Sequence, residues 1–160
     1  MNKIYMNKAL ELAKKGGLHV KPNPLVGAII VKNNEIIGEG YHQQYGQAHA
    51  EINAFLNAKE DVTGATMYVT LEPCSHEGKT GSCAKKIIEK GIKEIYIASS
   101  DPNPLVSGKG IQMLTDAGIQ VHLGLCQDES DHINKHFYHY ITKDRPYVLL
   151  KMALTLDGKY

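Results

Sequence analysis

Apolar residues recur at helical spacing at the start of the chain. Ile4, Met6, Ala9, Leu10 and Ala13 make one stripe over residues 3–15, Lys14 and Lys15 fall in the last turn, and Gly16-Gly17 supplies the stop. The pattern predicts a packing helix. Pro22-Asn23-Pro24 then makes a rigid loop, because each proline pushes the residue before it, Lys21 and Asn23, toward extended backbone. The apolar run 25–31 reads as a strand, and Gly27-Ala28 inside it leaves room for something to approach the backbone closely. Asn33-Asn34 predicts a hairpin turn into a second strand, 35–40. Further along, the spacing predicts helices over 48–58, 84–90 and 108–117, and a longer one over 128–143. Strands are predicted at 66–71, 93–98 and 119–123, with an apolar strand at 148–153.

A hairpin followed by alternating helices and strands predicts an α/β protein: a three-layer α/β/α sandwich with a mixed central sheet. The length, 160 residues, suits one domain that buries a core without staples. Arg145-Pro146-Tyr147 leads into the last strand, and the chain stops at Lys159-Tyr160 in a way that reads as the opening of something further. Residues 1–144 are expected to form one domain and 145–160 the start of a second, truncated one.

Composition narrows the partners. A net charge of +1 gives no bulk electrostatic reason to bind nucleic acid. No run approaches the ~18 apolar residues needed to span a bilayer, and the N-terminus lacks a signal-peptide core. A small-molecule substrate, no membrane and a cytoplasmic location are expected. The three cysteines then point away from disulfides, and for Cys74 and Cys83 a metal role is favoured.

The chemistry lies between His49 and Cys83. His49-Ala50-Glu51 is followed by Glu72-Pro73-Cys74 and then Cys83. One imidazole and two thiols suit a tetrahedral zinc that keeps a fourth position for water and lowers its pKa to about 7. Glu51 stands where a proton carrier is needed. Positions i and i+2 do not share a helix face, so His49 and Glu51 must sit at the first turn, where the helix end favours an anion such as a zinc-bound hydroxide. Cys83 opens a helix and is expected to have a lowered thiol pKa. The pattern H-x-E with P-C-x-x-C marks zinc deaminases, but here the cysteines are nine positions apart rather than three. Asn23 reads either as a turn residue or as an amide facing a ligand. His132 and His136 lack the H-E-x-x-H carboxylate and read as a solvated helix face, and Cys126 as a structural or free thiol.

With these residues in place, the chain resembles the deaminase domain of the bifunctional riboflavin-biosynthesis deaminase/reductase family, in the cytidine-deaminase superfamily. The resemblance rests on residues 22–28, Gly40-Tyr41-His42, His49-Ala50-Glu51, residues 68–76, Asp101-Pro102-Asn103-Pro104 and the close at 145–148 and 156–159. It implies a cytidine-deaminase-like fold and hydrolytic deamination of 2,5-diamino-6-ribosylamino-4(3H)-pyrimidinone 5′-phosphate. It further implies one catalytic zinc on His49, Cys74 and Cys83, with Glu51 as the catalytic proton shuttle. Asn23, His42, His76, Lys79 and Asn103 would contact substrate, Lys79 as a point charge for phosphate. NADPH would serve only the reductase domain that this chain lacks. The apolar strand 148–153, left uncovered, leaves a homo-oligomer open. The family has Thr-Pro-Pro-Cys where this chain has Thr80-Gly81-Ser82-Cys83, which predicts a looser loop around Lys79. Two alternatives stand beside this one. One is a deaminase of another nucleoside, nucleotide or tRNA base. The other is a non-catalytic zinc or assembly module, which would need a fourth protein ligand such as His76.

Overall fold

The computed structural model describes residues 2–75, 81–103, 107–143, 145–155 and 157–158. Among these, five strands form one sheet: β1 (Gly27–Lys32), β2 (Glu35–Tyr41), β3 (Thr66–Leu71), β4 (Glu94–Ser99) and β5 (Gln120–Leu123), in the order β2-β1-β3-β4-β5. β1 runs antiparallel to both its neighbours, whereas β3, β4 and β5 are parallel, so the sheet is mixed. The β1–β2 turn is made by Asn33 and Asn34, with φ of 52° and 65°. Two successive left-handed residues match the twist of the flanking strands, and asparagine tolerates that backbone better than most side chains.

The helices are α1 (Asn2–Lys14), α2 (Ala50–Leu56), α3 (Cys83–Glu89), α4 (Lys109–Asp116), α5 (Gln127–Ile133) and α6 (Lys135–Lys143). Side chains alternate along β1. Ala28 and Ile30 pack into one core with Ala54 of α2, Ile87 of α3 and Leu114 of α4, while Ile29 and Val31 pack with Met6 and Leu10 of α1. Both faces of the sheet are therefore covered, which is the expected three-layer arrangement.

What approaches the backbone at Gly27 is α1. A Cβ there would lie 2.0 Å from the Ala9 carbonyl oxygen and 2.8 Å from the Ala13 nitrogen. At Gly40 the same construction meets the Ala54 nitrogen of α2 at 2.2 Å. These contacts are backbone and have no side chain to move aside. Gly27→Ala is accordingly expected to destabilise the domain by about 3 kcal/mol or more, read as a lowered urea midpoint at unchanged slope. A midpoint equal to wild type would mean that α1 is free to shift.

Two expectations are corrected. The single helix over 128–143 is two helices, α5 and α6, which meet at Asn134 (φ −106°, ψ 13°). Asn134 is 1% exposed, and its side-chain amide pairs with the backbone of Leu25: Leu25 N–H donates to Oδ1 at 2.7 Å and Nδ2 donates to the Leu25 carbonyl at 2.8 Å. The same clamp occupies Leu25, so strand pairing begins at Gly27 rather than at 25. The second correction is at 148–153, where no strand forms. Val148, Leu149 and Leu150 are 82%, 77% and 78% exposed, and no described strand pairs with them. An apolar run becomes a strand only with a partner to satisfy its backbone and cover its face.

No helix among the described residues is long and apolar enough to cross a membrane. On α6, His136 and His139 lie against the Tyr147 ring, with centroids 4.6 and 5.4 Å apart, and His132 and His136 are both exposed, as a solvated helix face requires.

Candidate active site

The parallel strands β3 and β4 both deliver their carboxyl ends to the same side of the sheet. β3 runs into Glu72-Pro73-Cys74, and β4 runs into the segment that holds Asp101 and Asn103. α2 points its first turn at this side. It starts at Ala50, two residues later than the spacing suggested, and His49 is its N-cap in extended conformation (φ −72°, ψ 166°). That break in helical geometry lets His49 and Glu51 face one cavity despite their i, i+2 spacing. The cavity is about 320 Å³; His49, Glu51 and Cys74 line it, together with Asn23, His42 and Asn103.

The Nδ1 of His49 lies 3.3 Å from Cys83 Sγ and 3.7 Å from Cys74 Sγ, and the three donor atoms are all within 4.8 Å of one another. A tetrahedral zinc with bonds of about 2.3 Å to sulfur and about 2.0 Å to nitrogen sets an N···S separation of about 3.5 Å. The two distances bracket that value, and one borderline nitrogen with two soft sulfurs is a zinc donor set. These residues fit the ion.

The cysteine turn is fastened by backbone. Cys83 N–H donates to Cys74 Sγ at 3.4 Å, Ala84 N–H donates to the Cys74 carbonyl at 3.1 Å, and the Ser82 hydroxyl donates to the same carbonyl at 3.0 Å. Ser82 also caps α3, accepting from Lys85 N–H at 3.3 Å. Gly81 has φ 75°, a conformation closed to proline, whose ring holds φ near −65°. Gly81-Ser82 thus closes the turn through a left-handed glycine and a serine cap. The expected looser loop around Lys79 falls on residues 76–80, outside the described residues, as do His76 and Lys79 themselves.

The electrostatics follow from burial and from who donates to whom. The Cys74 thiol is held well below its usual range, first by the hydrogen bond from the Cys83 thiol and then by His49 and the Cys83 N–H, against the cost of burial. Cys83 is pushed up, because it is the thiol that donates and because it is buried beside Glu51. The expected lowering of Cys83 is therefore corrected: the N–H at the start of α3 serves Cys74 instead. His49 is raised by its bond to Cys74. Glu51 is 3% exposed, and burial pushes its carboxyl up against the pull of His49. Burial lowers His42. Its Nδ1 faces the Ala48 carbonyl at 3.1 Å, so Nδ1 carries the proton and Nε2 accepts from Asn23 Nδ2 at 3.0 Å. Asn23 is thus a cavity-lining amide held by His42 rather than a turn residue bonded to its own backbone.

Other cavity residues carried no signal in the sequence. Phe137 and Ile141 line the cavity from α6 at i, i+4 spacing, where they read as an ordinary apolar stripe. Glu72 lines it too, and it was visible only as a neighbour of Cys74. Among the described residues, His132 and His136 do not join a metal-type cluster, and Cys126 is a free thiol.

Residues 1–99 match the model of the cytidine and deoxycytidylate deaminase zinc-binding region. The riboflavin biosynthesis protein RibD of Actinobacillus pleuropneumoniae is 56% identical over 155 residues, covering 97% of this chain but 41% of that protein. The chain thus spans about two fifths of the length of such relatives. The diaminohydroxyphosphoribosylamino-pyrimidine deaminase of Buchnera aphidicola subsp. Schizaphis graminum is 50% identical over 137 residues, covering 86% of this chain and 93% of that protein. A solved structure from Thermotoga maritima is described as a diaminohydroxyphosphoribosylaminopyrimidine deaminase/5-amino-6-(5-phosphoribosylamino)uracil reductase. It superposes with a TM-score of 0.93 at 48% identity, covering 98% of this chain and 45% of that one. With a family model over more than half its length and a half-identical relative of nearly its own size, the chain belongs to the cytidine and deoxycytidylate deaminase zinc-binding family, among its riboflavin-biosynthesis deaminases.

Proposed function

We propose that this chain deaminates 2,5-diamino-6-ribosylamino-4(3H)-pyrimidinone 5′-phosphate, a step in making riboflavin. The observation that carries the reading is the His49, Cys74 and Cys83 cluster with the buried Glu51, opening on a cavity of about 320 Å³. The Buchnera relative, which matches over nearly its whole length and bears the name of this activity, supports the choice of substrate.

In this reading His49, Cys74 and Cys83 would hold one zinc, which when bound would supply the Lewis acidity that activates water at neutral pH. Glu51 accepts a proton from the attacking water and passes it to the departing amino nitrogen. The water oxygen bonds to the ring carbon, the C–N bond breaks, and ammonia leaves. Asn23 and Asn103 present paired amide donors and acceptors to the ring or ribose. His42, with both ring nitrogens engaged by Ala48 and Asn23, would meet the substrate through its ring and hold the Asn23 amide toward it. By the family resemblance Lys79 would meet its phosphate, and His76 a phosphate or hydroxyl group.

Residues 1–144 then make up the deaminase and 145–160 the opening of a reductase domain, where NADPH would act. The exposed apolar run at 148–153 is covered in that arrangement by the following domain, or in its absence by a second copy. The location proposed is the cytoplasm, where the thiols stay reduced.

The test is ammonia release by the zinc-replete chain with this substrate, cytidine and dCMP in parallel. Release from the diaminopyrimidinone alone is expected. Release from cytidine or dCMP instead would move the chain to another branch of the family. Silence on every substrate with zinc bound would remove the assignment for this chain as it stands.

A further inference from the structure

Glu72 is 5% exposed, although it carries a carboxylate. A buried carboxylate is costly unless hydrogen bonds replace its water. Here both oxygens are supplied by one distant stretch of backbone. Oε2 accepts from Asp101 N–H at 3.1 Å and Gly108 N–H at 3.0 Å. Oε1 accepts from Gly110 N–H at 3.0 Å and Ile111 N–H at 3.4 Å. Asp101 passes the constraint on, because its own Oδ1 accepts from Asn103 N–H at 2.8 Å. Packing reinforces the link: a Cβ at Gly110 would lie 2.0 Å from the Pro73 carbonyl oxygen, so α4 begins directly on the peptide between Glu72 and Cys74. The turn that bears Cys74 and the segment that bears Asn103 are thereby one rigid piece, and both line the cavity.

We propose that Glu72 is a positioning residue for deamination: its carboxylate sets where Asn103 stands relative to His49, Cys74 and Cys83. The inference rests on the functional reading above. Glu72 itself neither holds the metal nor carries the proton in it. Its role is geometric, exerted through Asp101 and the backbone.

The experiment is a double-mutant cycle of Glu72→Gln and Asn103→Ala in the full chain, read by steady-state ammonia release, zinc content and amide hydrogen exchange. Glutamine keeps the shape but turns one acceptor into a donor facing the same N–H groups. Glu72→Gln is expected to keep wild-type zinc content, to raise KM about tenfold or more, and to speed exchange at 101–103 and 108–111 while β1 and β3 stay protected. Adding Asn103→Ala to it should cost much less than Asn103→Ala costs in wild type, because both act on one contact. A merely structural Glu72 would leave KM unchanged, lower only the active fraction, and give independent effects in the cycle; that result overturns the proposal. So does unchanged exchange at 101–103. If the wild-type chain releases no ammonia, the functional reading fails by itself, and exchange, which needs no substrate, still decides the clamp. If Glu72→Gln does not fold, Glu72→Asp keeps the charge on a shorter stem. It should show the same KM rise and coupling, and wild-type values for it overturn the proposal.

Discussion

Glu51→Gln is expected to lower ammonia release by about 10²- to 10⁴-fold while zinc content and fold stay those of wild type. The argument is geometric and then chemical. Glu51 sits in the first turn of α2, is 3% exposed, and lines the same cavity as His49. Glutamine fills the same space but cannot accept a proton and return it. Burial pushes the carboxyl up from its usual range, against the pull of His49, as expected of a group that exchanges protons at a site. Measured against zinc content by atomic absorption, turnover within tenfold of wild type would remove Glu51 from the proton path.

Cys83→Ala is expected to abolish zinc binding and, with it, both turnover and the stability that zinc adds. Cys83 is 1% exposed and its Sγ is 3.3 Å from His49 Nδ1, so alanine deletes one donor of three with no replacement among the described residues. At free zinc near a hundred times its dissociation constant, the wild-type chain gains about 2.7 kcal/mol from the ion. For a chain of this size that is about 5–10 °C in Tm. A chelator should therefore lower the wild-type Tm by that amount and leave Cys83→Ala where it is. A variant that keeps full zinc content, or a chelator-sensitive Tm, would take Cys83 out of the ligand set. The same loss follows for the enzyme at acid pH, since the thiols must give up their protons to bind metal.

Much of this was legible before any coordinates. The H-x-E pair, the two cysteines and the hairpin asparagines are local signals: each is a residue type doing something that few others do at that spacing. His49 and Glu51 at a helix start is a case in point. Their i, i+2 spacing forces that placement if both face one site, and the N-cap geometry of His49 provides it. Gly27 was readable as a place of close approach, though not as the seat of α1.

What the sequence determined about this protein is therefore its layers, its mixed sheet and the meeting of Asn23, His42, His49, Glu51, Cys74 and Asn103 at one cavity. Those follow from short-range patterns: period 2 against period 3.6, turn residues, and rare ligand types in order. What only the tertiary structure decided is how the pieces are held. Glu72 takes backbone partners 29 to 39 residues away, and Asn134 takes Leu25 from 109 residues away, breaking a helix that the local pattern would have continued. Phe137 and Ile141 of α6, past that break, are part of the cavity wall. Cys74 is the thiol held low and Cys83 the one pushed up because the fold sets them against each other and buries Cys83 beside Glu51. A side chain's propensity is written in its neighbours along the chain. A buried polar group's partner is whatever the fold brings within hydrogen-bond reach, and no local spacing encodes that.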